Sequence, residues 1–240
     1  MANWARRLGS FVRTTGKTVR RSWEELEVAG PPLETAIGQV LAARFEQEAP
    51  VDRDAAVVSR VEDIGVQLTA CLKNKSRRFR FAVVAAAEAN AFALPGGFIY
   101  VARALIDLLE RDEDELAFAL GHEIGHVVRR HPWDRAVNSA AVKAALRTLR
   151  AGGAIAQMLP GIGAEAFTAA YGQDQEFEAD ALGVRLARSA GFDPYGAVRL
   201  LERLRSLSGA SRDGGLTSYF ESHPPADDRI RRIRDRIQSN

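Results

Sequence analysis

The sequence predicts a predominantly helical α+β fold with a small β-hairpin or sheet beside one central helix. Most apolar residues recur at the 3.6-residue spacing of amphipathic helices. Two runs, RFRFAVV and FIYV, are rich in β-branched and aromatic residues, and Pro95, Gly96 and Gly97 form a turn between them. The 240 residues are 46% hydrophobic and 27% charged, which is typical of a globular domain with a substantial core.

The predicted elements follow one another without an internal repeat. A basic N-terminal segment precedes helices near residues 33–48 and 54–74, the hairpin, and a helix near 102–110. The helix that contains HEIGH follows, and further helices are predicted near 134–151, 174–190, 194–208 and 225–238. Gly191 can end one of these helices and Pro194 can begin the next. We therefore predict one domain over residues 31–240, preceded by a separate segment over residues 1–30.

The helix in DEDELAFALGHEIGHVVRR carries a histidine pair. Acidic residues begin it and two arginines end it, as the helix dipole favours. His122 and His126 are four residues apart, so both imidazoles can bind one ion while Glu123 lies alongside as a general base. A surface pair is the alternative for so short a motif. The helix is predicted to be partly buried, however, where an unpaired imidazole pair is unfavourable.

A catalytic zinc requires a third protein ligand and one open position. The metzincin pattern would need glycine at position 129 and histidine at position 132, where the chain has Arg129 and Pro132. His131 follows His126 by five residues, which turns it about 140° from the ligand face of a continuous helix. We therefore predict that His131 is a structural or helix-end histidine, and that the third ligand lies further along the chain.

Two glutamates in EFEADALG compete for the third position. Helical steps from Glu176 pass through Asp180 and Gly183, a strip of short side chains that allows close approach to another helix. Gly125 in HEIGH has no side chain and would allow the second helix to approach, whereas the helix face that begins at Glu178 is more suited to solvent exposure. Glu176 is thus favoured, and Asp180 can accept the second N–H of a zinc-bound imidazole. An ordinary acidic helix face is the alternative.

Four segments together resemble the signature blocks of a known family. They are NAFALPGGFIYV, ALGHEIGHVVRRH, EFEADALG and SHPPADDRI, in the family's order over roughly residues 55–238. The chain is similar to the gluzincin peptidases that include HtpX, BepA, the mitochondrial Oma-type peptidases and the CAAX prenyl proteases, and most of all to the compact BepA and Oma-like branch. The resemblance implies a zincin-like metallopeptidase domain. It further implies a zinc-dependent metalloendopeptidase of protein quality control that acts on misfolded or partly unfolded polypeptides.

The resemblance assigns roles residue by residue. It implies one Zn²⁺ per chain held by His122, His126 and Glu176, with Glu123 as the general base and Asp180 as the acid behind a ligand. His223 matches a late histidine that in the family either donates to the oxyanion or binds the zinc as a fourth, inhibitory ligand. Without the resemblance, His223 is a loop histidine before two prolines.

The resemblance also assigns substrate binding to the strand after the Pro-Gly-Gly turn. An extended peptide would add to the edge formed by Gly97, Phe98, Ile99 and Tyr100. A self-inhibited or chaperone-like peptide-binding module that keeps the peptidase fold is the alternative function. Glu123 favours the peptidase, because a module without chemistry has no need of the base. Arg229 matches a family arginine to which the sequence gives no physical role.

Residues 1–23 have one apolar stripe and many basic residues, with no acidic residue before Glu24. This pattern fits peripheral contact with an anionic membrane, a partner helix, a targeting segment or a solvated arm. The apolar stretch 151–171 contains Gln157, Pro160 and Glu165, which favours a lid or loop over a spanning helix. With no secretory signal or transmembrane helix evident, we expect a cytoplasmic protein or one peripheral at a membrane surface.

Composition narrows the other classes of partner. The net charge of +2 does not indicate any particular class of partner. Nucleic-acid binding is not expected, because no basic recognition module with aromatic residues accompanies this charge. The single cysteine, Cys71, cannot form an intramolecular disulfide, so the fold does not depend on an oxidising compartment. The expected partner is a polypeptide substrate.

Overall fold

The computed structural model describes residues 33–139, 142, 170–208, 223 and 226–239. Within them the predicted α+β class, predominantly helical, is confirmed. The first helices are α1 (33–48), α2 (Ala55–Ala70), α3 (Arg103–Leu108) and α4 (Glu113–Val128). The later ones are α5 (His131–Asn138), α6 (Gln173–Ser189), α7 (Gly196–Ser208) and α8 (Ala226–Gln238). The strands are β1 (Arg80–Val84), β2 (Ala91–Leu94) and β3 (Phe98–Ala102).

The predicted helices recur near their predicted positions within the described residues. The second ends at Ala70, and the helix predicted near 134–151 begins earlier, at His131. The basic segment 1–30 and nearly all of the predicted lid lie outside the described residues. None of the helices in the described ranges is long and apolar enough to cross a membrane.

The sheet has the strand order β1-β3-β2, which differs from the predicted hairpin. β1 pairs with β3 in parallel, with Arg80 opposite Phe98, so RFRFAVV and FIYV are not two arms of one hairpin. The hairpin partner of β3 is β2, whose AFAL sequence is short and weakly alternating. Gly96 and Gly97 have φ values of +81° and +93°, which L side chains rarely adopt, and they close the tight turn between β2 and β3.

Because β3 is the central strand, hydrogen bonds occupy both of its edges. The prediction that a substrate adds to a free edge of β3 at Gly97, Phe98, Ile99 and Tyr100 is therefore wrong. The predicted elements do not include β2 as a strand, and β2 covers the edge of β3 that a two-stranded hairpin would leave open. Among the described residues, the outer strands of this sheet are β1 and β2.

Helix α4 lies in the middle of the domain. Every residue from Glu115 to Val127 is buried, and the helix contacts α2, α5, α6, α7 and the sheet. A helix that is buried on all sides must pair each of its polar side chains, because burial of an unpaired polar group is costly. The two histidines and the glutamate of HEIGH are among these buried groups.

Asp112 is the N-cap of α4. Its Oδ1 accepts hydrogen bonds from the backbone N–H groups of Asp114 and Glu115, both at 3.0 Å. Arg199 of α7 donates to the same carboxylate, with 3.1 Å between Nε and Oδ2. Burial raises the pKa of Asp112, but the bonds from Arg199 and the backbone more than offset this and lower the pKa below its usual value.

We expect Asp112→Ala to lower the free energy of unfolding by about 1–2 kcal/mol at pH 7, the cost of losing an N-cap. Since the pKa of Asp112 is lower in the folded chain, its carboxylate stabilises the fold fully at pH values above the unfolded pKa. This stabilisation is lost as pH falls through the folded pKa. In urea unfolding, the difference in free energy of unfolding between the wild type and Asp112→Ala should therefore become smaller below about pH 4. Asp112→Asn, which keeps a capping oxygen, should lose less of this free energy than Asp112→Ala. An equal deficit for Asp112→Ala at pH 3 and pH 7 would contradict the assignment.

Candidate metal centre

Helices α4 and α6 pack at close range through glycine. A Cβ atom added to Gly183 would lie 2.9 Å from the backbone nitrogen of His122, and one added to Gly125 would lie 2.9 Å from Cα of Ala179. Real Cβ atoms essentially never approach other heavy atoms this closely, so the contact requires these glycines. The predicted close approach of the two helices is thus present, and it brings Glu176 to the histidines of α4.

Four buried side chains place one donor atom each within 4.8 Å of the others: His122, His126, Glu176 and His223. His122 Nε2 lies 2.9 Å from His126 Nε2 and 3.6 Å from Glu176 Oε2. His126 Nε2 lies 3.3 Å from Glu176 Oε1. His223 Nδ1 lies 3.0 Å from Glu176 Oε1 and 3.4 Å from His122 Nε2.

These separations are close to those around a zinc ion. Zinc binds histidine nitrogen and carboxylate oxygen at about 2.0–2.2 Å, which places neighbouring donors of a tetrahedral site about 3.3–3.6 Å apart. The five separations given above involve both carboxylate oxygens of Glu176 and range from 2.9 to 3.6 Å. Three nitrogens and one carboxylate oxygen are also a donor set that zinc accepts. The residues present therefore fit a single zinc ion.

The charges in the cluster suit a cation. Burial raises the pKa of Glu176, but the neighbouring His223 and Arg229 outweigh it and hold that pKa well below its usual range. Burial, followed by the neighbouring His122, lowers the pKa of His126 well below its usual value. Glu176 is therefore ionised and His126 neutral near pH 7, the forms in which these side chains bind a metal.

Asp180 lies behind His122. His122 Nδ1 is 2.9 Å from Asp180 Oδ1, so Nε2 is the nitrogen that faces the donor cluster. Arg229 of α8 binds Asp180 through Nε at 2.8 Å and Nη2 at 2.7 Å, and its Nη1 is 2.8 Å from Glu176 Oε2. Despite burial, these partners lower the pKa of Asp180 to about 2. Arg229 thus balances two buried carboxylates.

The position of Arg229 on the apolar face of a predicted helix could have indicated this role. It lies four residues before Ile233, on the same face of α8 as the buried Ile230 and Ile237. An arginine on the apolar face of a helix must find a buried acid, since an unpaired buried charge is very unfavourable.

Glu123 lies beside the donor cluster. Its Oε1 is 3.6 Å from His223 Nε2, and its Oε2 is buried without a hydrogen-bond partner among the described residues. Burial raises the pKa of Glu123 above its usual value. A buried carboxylate with a raised pKa and a vacant acceptor oxygen is suited to take a proton from a small molecule at the metal position.

His131 lies where extrapolation along the helix did not place it. Its Nδ1 is 2.9 Å from Nδ1 of His126, and its side chain is buried. The predicted turn of 140° away from the ligand face is wrong, because α4 ends at Val128 and Arg130 adopts a left-handed φ of 65°. The helix is interrupted there, and His131, the first residue of α5, lies against the His126 ring.

A histidine pair on a buried helix, completed by a glutamate from a second helix beside a small sheet, defines a zincin-like metallopeptidase domain. The particular family follows from comparison with known proteins. Residues 55–237 match the model of peptidase family M48, and the chain belongs to that family.

Curated relatives agree with this membership. The chain is 32% identical over 202 residues to metalloprotease YcaL of Escherichia coli (strain K12), covering 80% of this chain and 77% of the relative. It is 31% identical over 167 residues to metalloprotease LoiP of the same organism, covering 67% and 63%. It is 28% identical over 215 residues to the beta-barrel assembly-enhancing protease of that organism, covering 85% of this chain but only 43% of the relative.

Proposed function

We propose that this protein is a zinc-dependent metalloendopeptidase that hydrolyses peptide bonds in misfolded or partly unfolded proteins. The observation that carries the proposal is the convergence of the donor atoms of His122, His126 and Glu176, with Glu123 beside them. The three ligands hold one Zn²⁺ per chain. A zinc site that only stabilised the fold would not need the buried Glu123 next to its ligands, with a carboxylate oxygen that has no hydrogen-bond partner among the described residues.

Bound zinc supplies Lewis-acid activation of water and polarises the scissile carbonyl. Glu123 takes the proton of the attacking water on Oε2 and then passes it to the leaving amine. Burial shifts the pKa of Glu123 upward, the direction that favours a general base, since the best general base has a pKa close to the working pH. His223, whose Nε2 lies 3.6 Å from Glu123 Oε1, is the proposed donor for the developing oxyanion.

The substrate binds along the outer edge of β2. The carbonyl oxygen of Asn90 accepts a hydrogen bond from the Ala102 N–H, so the alternation of the ladder points the N–H and C=O groups of Ala91 and Ala93 away from β3. Both α4 and α5 pack against β2, so this strand lies beside the helix that carries His122, Glu123 and His126. Arg135 donates to the Ala93 carbonyl oxygen at 3.3 Å, and both Ala91 and Ala93 are buried, so a substrate must displace this contact to pair with the strand.

Binding at a strand edge explains a preference for unfolded chains. A substrate must present an extended backbone with unpaired N–H and C=O groups to add to β2, and folded proteins have few such segments. One relative is a beta-barrel assembly-enhancing protease, which supports a setting in protein assembly and quality control. A role for residues 1–23 at a membrane surface stays a prediction.

The test is cleavage of a permanently unfolded polypeptide by the purified full chain. We expect fragments to form, to disappear when a chelator removes the metal, and to return when one equivalent of Zn²⁺ is added. Cleavage that persists in the metal-free protein would contradict the proposal.

A second candidate function is a self-blocked peptidase, and the position of His223 favours it. His223 Nδ1 lies 3.0 Å from Glu176 Oε1 and 3.4 Å from His122 Nε2, close enough to fill the fourth position that an active zinc site keeps open. Burial lowers the pKa of His223, but Glu176 outweighs this and raises it. The close contact with Glu176 accounts for the buried place of this loop histidine.

The His223→Ala variant separates a blocking from a catalytic His223. If His223 closes the site, the variant should keep its zinc through the other three ligands and cleave the unfolded substrate faster than the wild type. If His223 instead donates to the oxyanion, cleavage should fall by about 10²–10³-fold, the usual cost of removing one such donor. Zinc content measured on the same samples shows whether the three remaining ligands suffice.

A further inference from the structure

We propose that His131 is the positioning residue of His126: it accepts the Nδ1–H of His126 and thereby fixes the ring in the tautomer and orientation that bind the metal through Nε2. The inference rests on the proposed metal site. It concerns a residue outside the ligand set and gives it a defined task.

The geometry determines the direction of the hydrogen bond. His126 Nε2 lies in the donor cluster, so it carries no proton when it binds a metal, and a neutral imidazole then keeps its proton on Nδ1. The partner of that proton is His131 Nδ1 at 2.9 Å. His131 Nδ1 must accept, which leaves the proton of His131 on Nε2, 3.7 Å from Glu178 Oε2.

The fold holds His131 in place from two sides. Arg130, the residue with the left-handed φ, forms an ion pair with the buried Glu34 of α1, with 3.2 Å between Nε and Oε2. Pro132 follows in the first turn of α5, where its fixed φ suits the start of a helix. The connection between α4 and α5 therefore consists of one left-handed residue followed by a proline, and His131 has little freedom to leave His126.

Tyr171 restrains the same ligand from its face. Its ring stacks on the His126 ring with centroids 3.9 Å apart and 18° between the planes, and the Arg135 guanidinium lies 4.2 Å from the Tyr171 centroid. Stacking limits the tilt of the ring, but it does not select between the two ring nitrogens. That selection requires a hydrogen bond at Nδ1, which His131 supplies.

The two histidine ligands therefore have chemically different supports. His122 Nδ1 meets the Asp180 carboxylate, whose charge Arg229 balances. His126 Nδ1 meets a neutral imidazole instead. A second carboxylate behind His126 would add a buried negative charge, and Arg229 already serves both Asp180 and Glu176. His131 thus orients a ligand without adding charge to the site.

Two substitutions at position 131 separate the hydrogen bond from simple packing. His131→Leu fills much of the volume but leaves the His126 Nδ1–H without an acceptor, whereas the side-chain oxygen of His131→Asn can take the place of Nδ1. Loss of such a support typically weakens metal affinity about 10–100-fold. We expect this loss for His131→Leu and an affinity close to wild type for His131→Asn. Competition of the full-length chain with a chromophoric chelator for Zn²⁺ measures both.

A second readout identifies the tautomer directly. Two-bond ¹H–¹⁵N spectra of the zinc-loaded wild type should show His126 protonated at Nδ1 and His131 protonated at Nε2. Unfolding of the metal-free variants reports any loss of packing separately, because a purely structural role would lower that stability without changing the zinc affinity of the folded chain.

The outcomes distinguish failure of the inference from failure of the metal site. A wild-type chain that binds no zinc overturns both. Wild-type zinc binding with equal affinity in His131→Leu overturns the inference alone, as does an equal loss in His131→Leu and His131→Asn. A proton found on Nδ1 of His131 also overturns it.

Discussion

Replacing Glu123 with glutamine should abolish peptide-bond cleavage and leave the metal in place. The amide has nearly the same size and fills the same buried position, but it cannot take a proton from the attacking water. A general base contributes about 10²–10⁴-fold to rate, so cleavage should fall by at least that factor. Zinc content should stay at one ion per chain, since Glu123 is not a proposed ligand.

A matched control is Glu202→Gln, the same chemical change on α7. Glu202 forms an ion pair with Arg234, and both side chains are exposed, so the change should leave cleavage and zinc content unaltered. Cleavage by Glu123→Gln at more than a tenth of the wild-type rate would remove Glu123 from the proposed chemistry. Loss of zinc from this variant would instead mean that Glu123 is a ligand.

Replacing Arg229 with methionine should destabilise the metal-free chain more than any other single change considered above. The guanidinium is 3% exposed and pairs with both Asp180 and Glu176, so its loss removes the one arginine that these two buried carboxylates share. Breaking a buried ion pair by removing one partner costs about 3–5 kcal/mol. Urea unfolding of the metal-free protein should show a loss of that size.

The control lies three residues further along the same helix. Arg232→Met removes an arginine that packs over the Phe177 ring at 3.8 Å, a contact worth about 0.5–1 kcal/mol at an exposed site. Saturating zinc should also recover part of the Arg229→Met deficit, because a divalent cation beside Glu176 restores positive charge. Equal losses in the two variants, or a deficit that zinc leaves unchanged, would contradict the role given to Arg229.

Much of the site could be predicted because its information is local. The histidine spacing places His122 and His126 on one face of a helix, and the strip of short side chains through Asp180 and Gly183 selects Glu176 over Glu178. Both arguments use only the 3.6-residue period of a helix. That period holds as long as the helix is continuous.

Other features of the fold and the site could not be predicted from the helical period, because they depend on long-range contacts or on the backbone angles of single residues. The direction of His131 follows from the φ of 65° at Arg130, and one residue in that conformation redirects the chain. The order of the strands depends on the short β2, which pairs with β3. The prediction that RFRFAVV and FIYV form one hairpin does not include this strand. The partners of Arg229 are 49 residues or more away in sequence, beyond any local pattern.

The central claim is that one zinc ion lies among these side chains, and anomalous diffraction at the zinc absorption edge from crystals of the zinc-loaded protein tests it most directly. We predict a single strong peak per chain, about 2.0–2.2 Å from Nε2 of His122, Nε2 of His126 and a carboxylate oxygen of Glu176. A peak elsewhere, or no peak within bonding distance of these three side chains, would contradict the account.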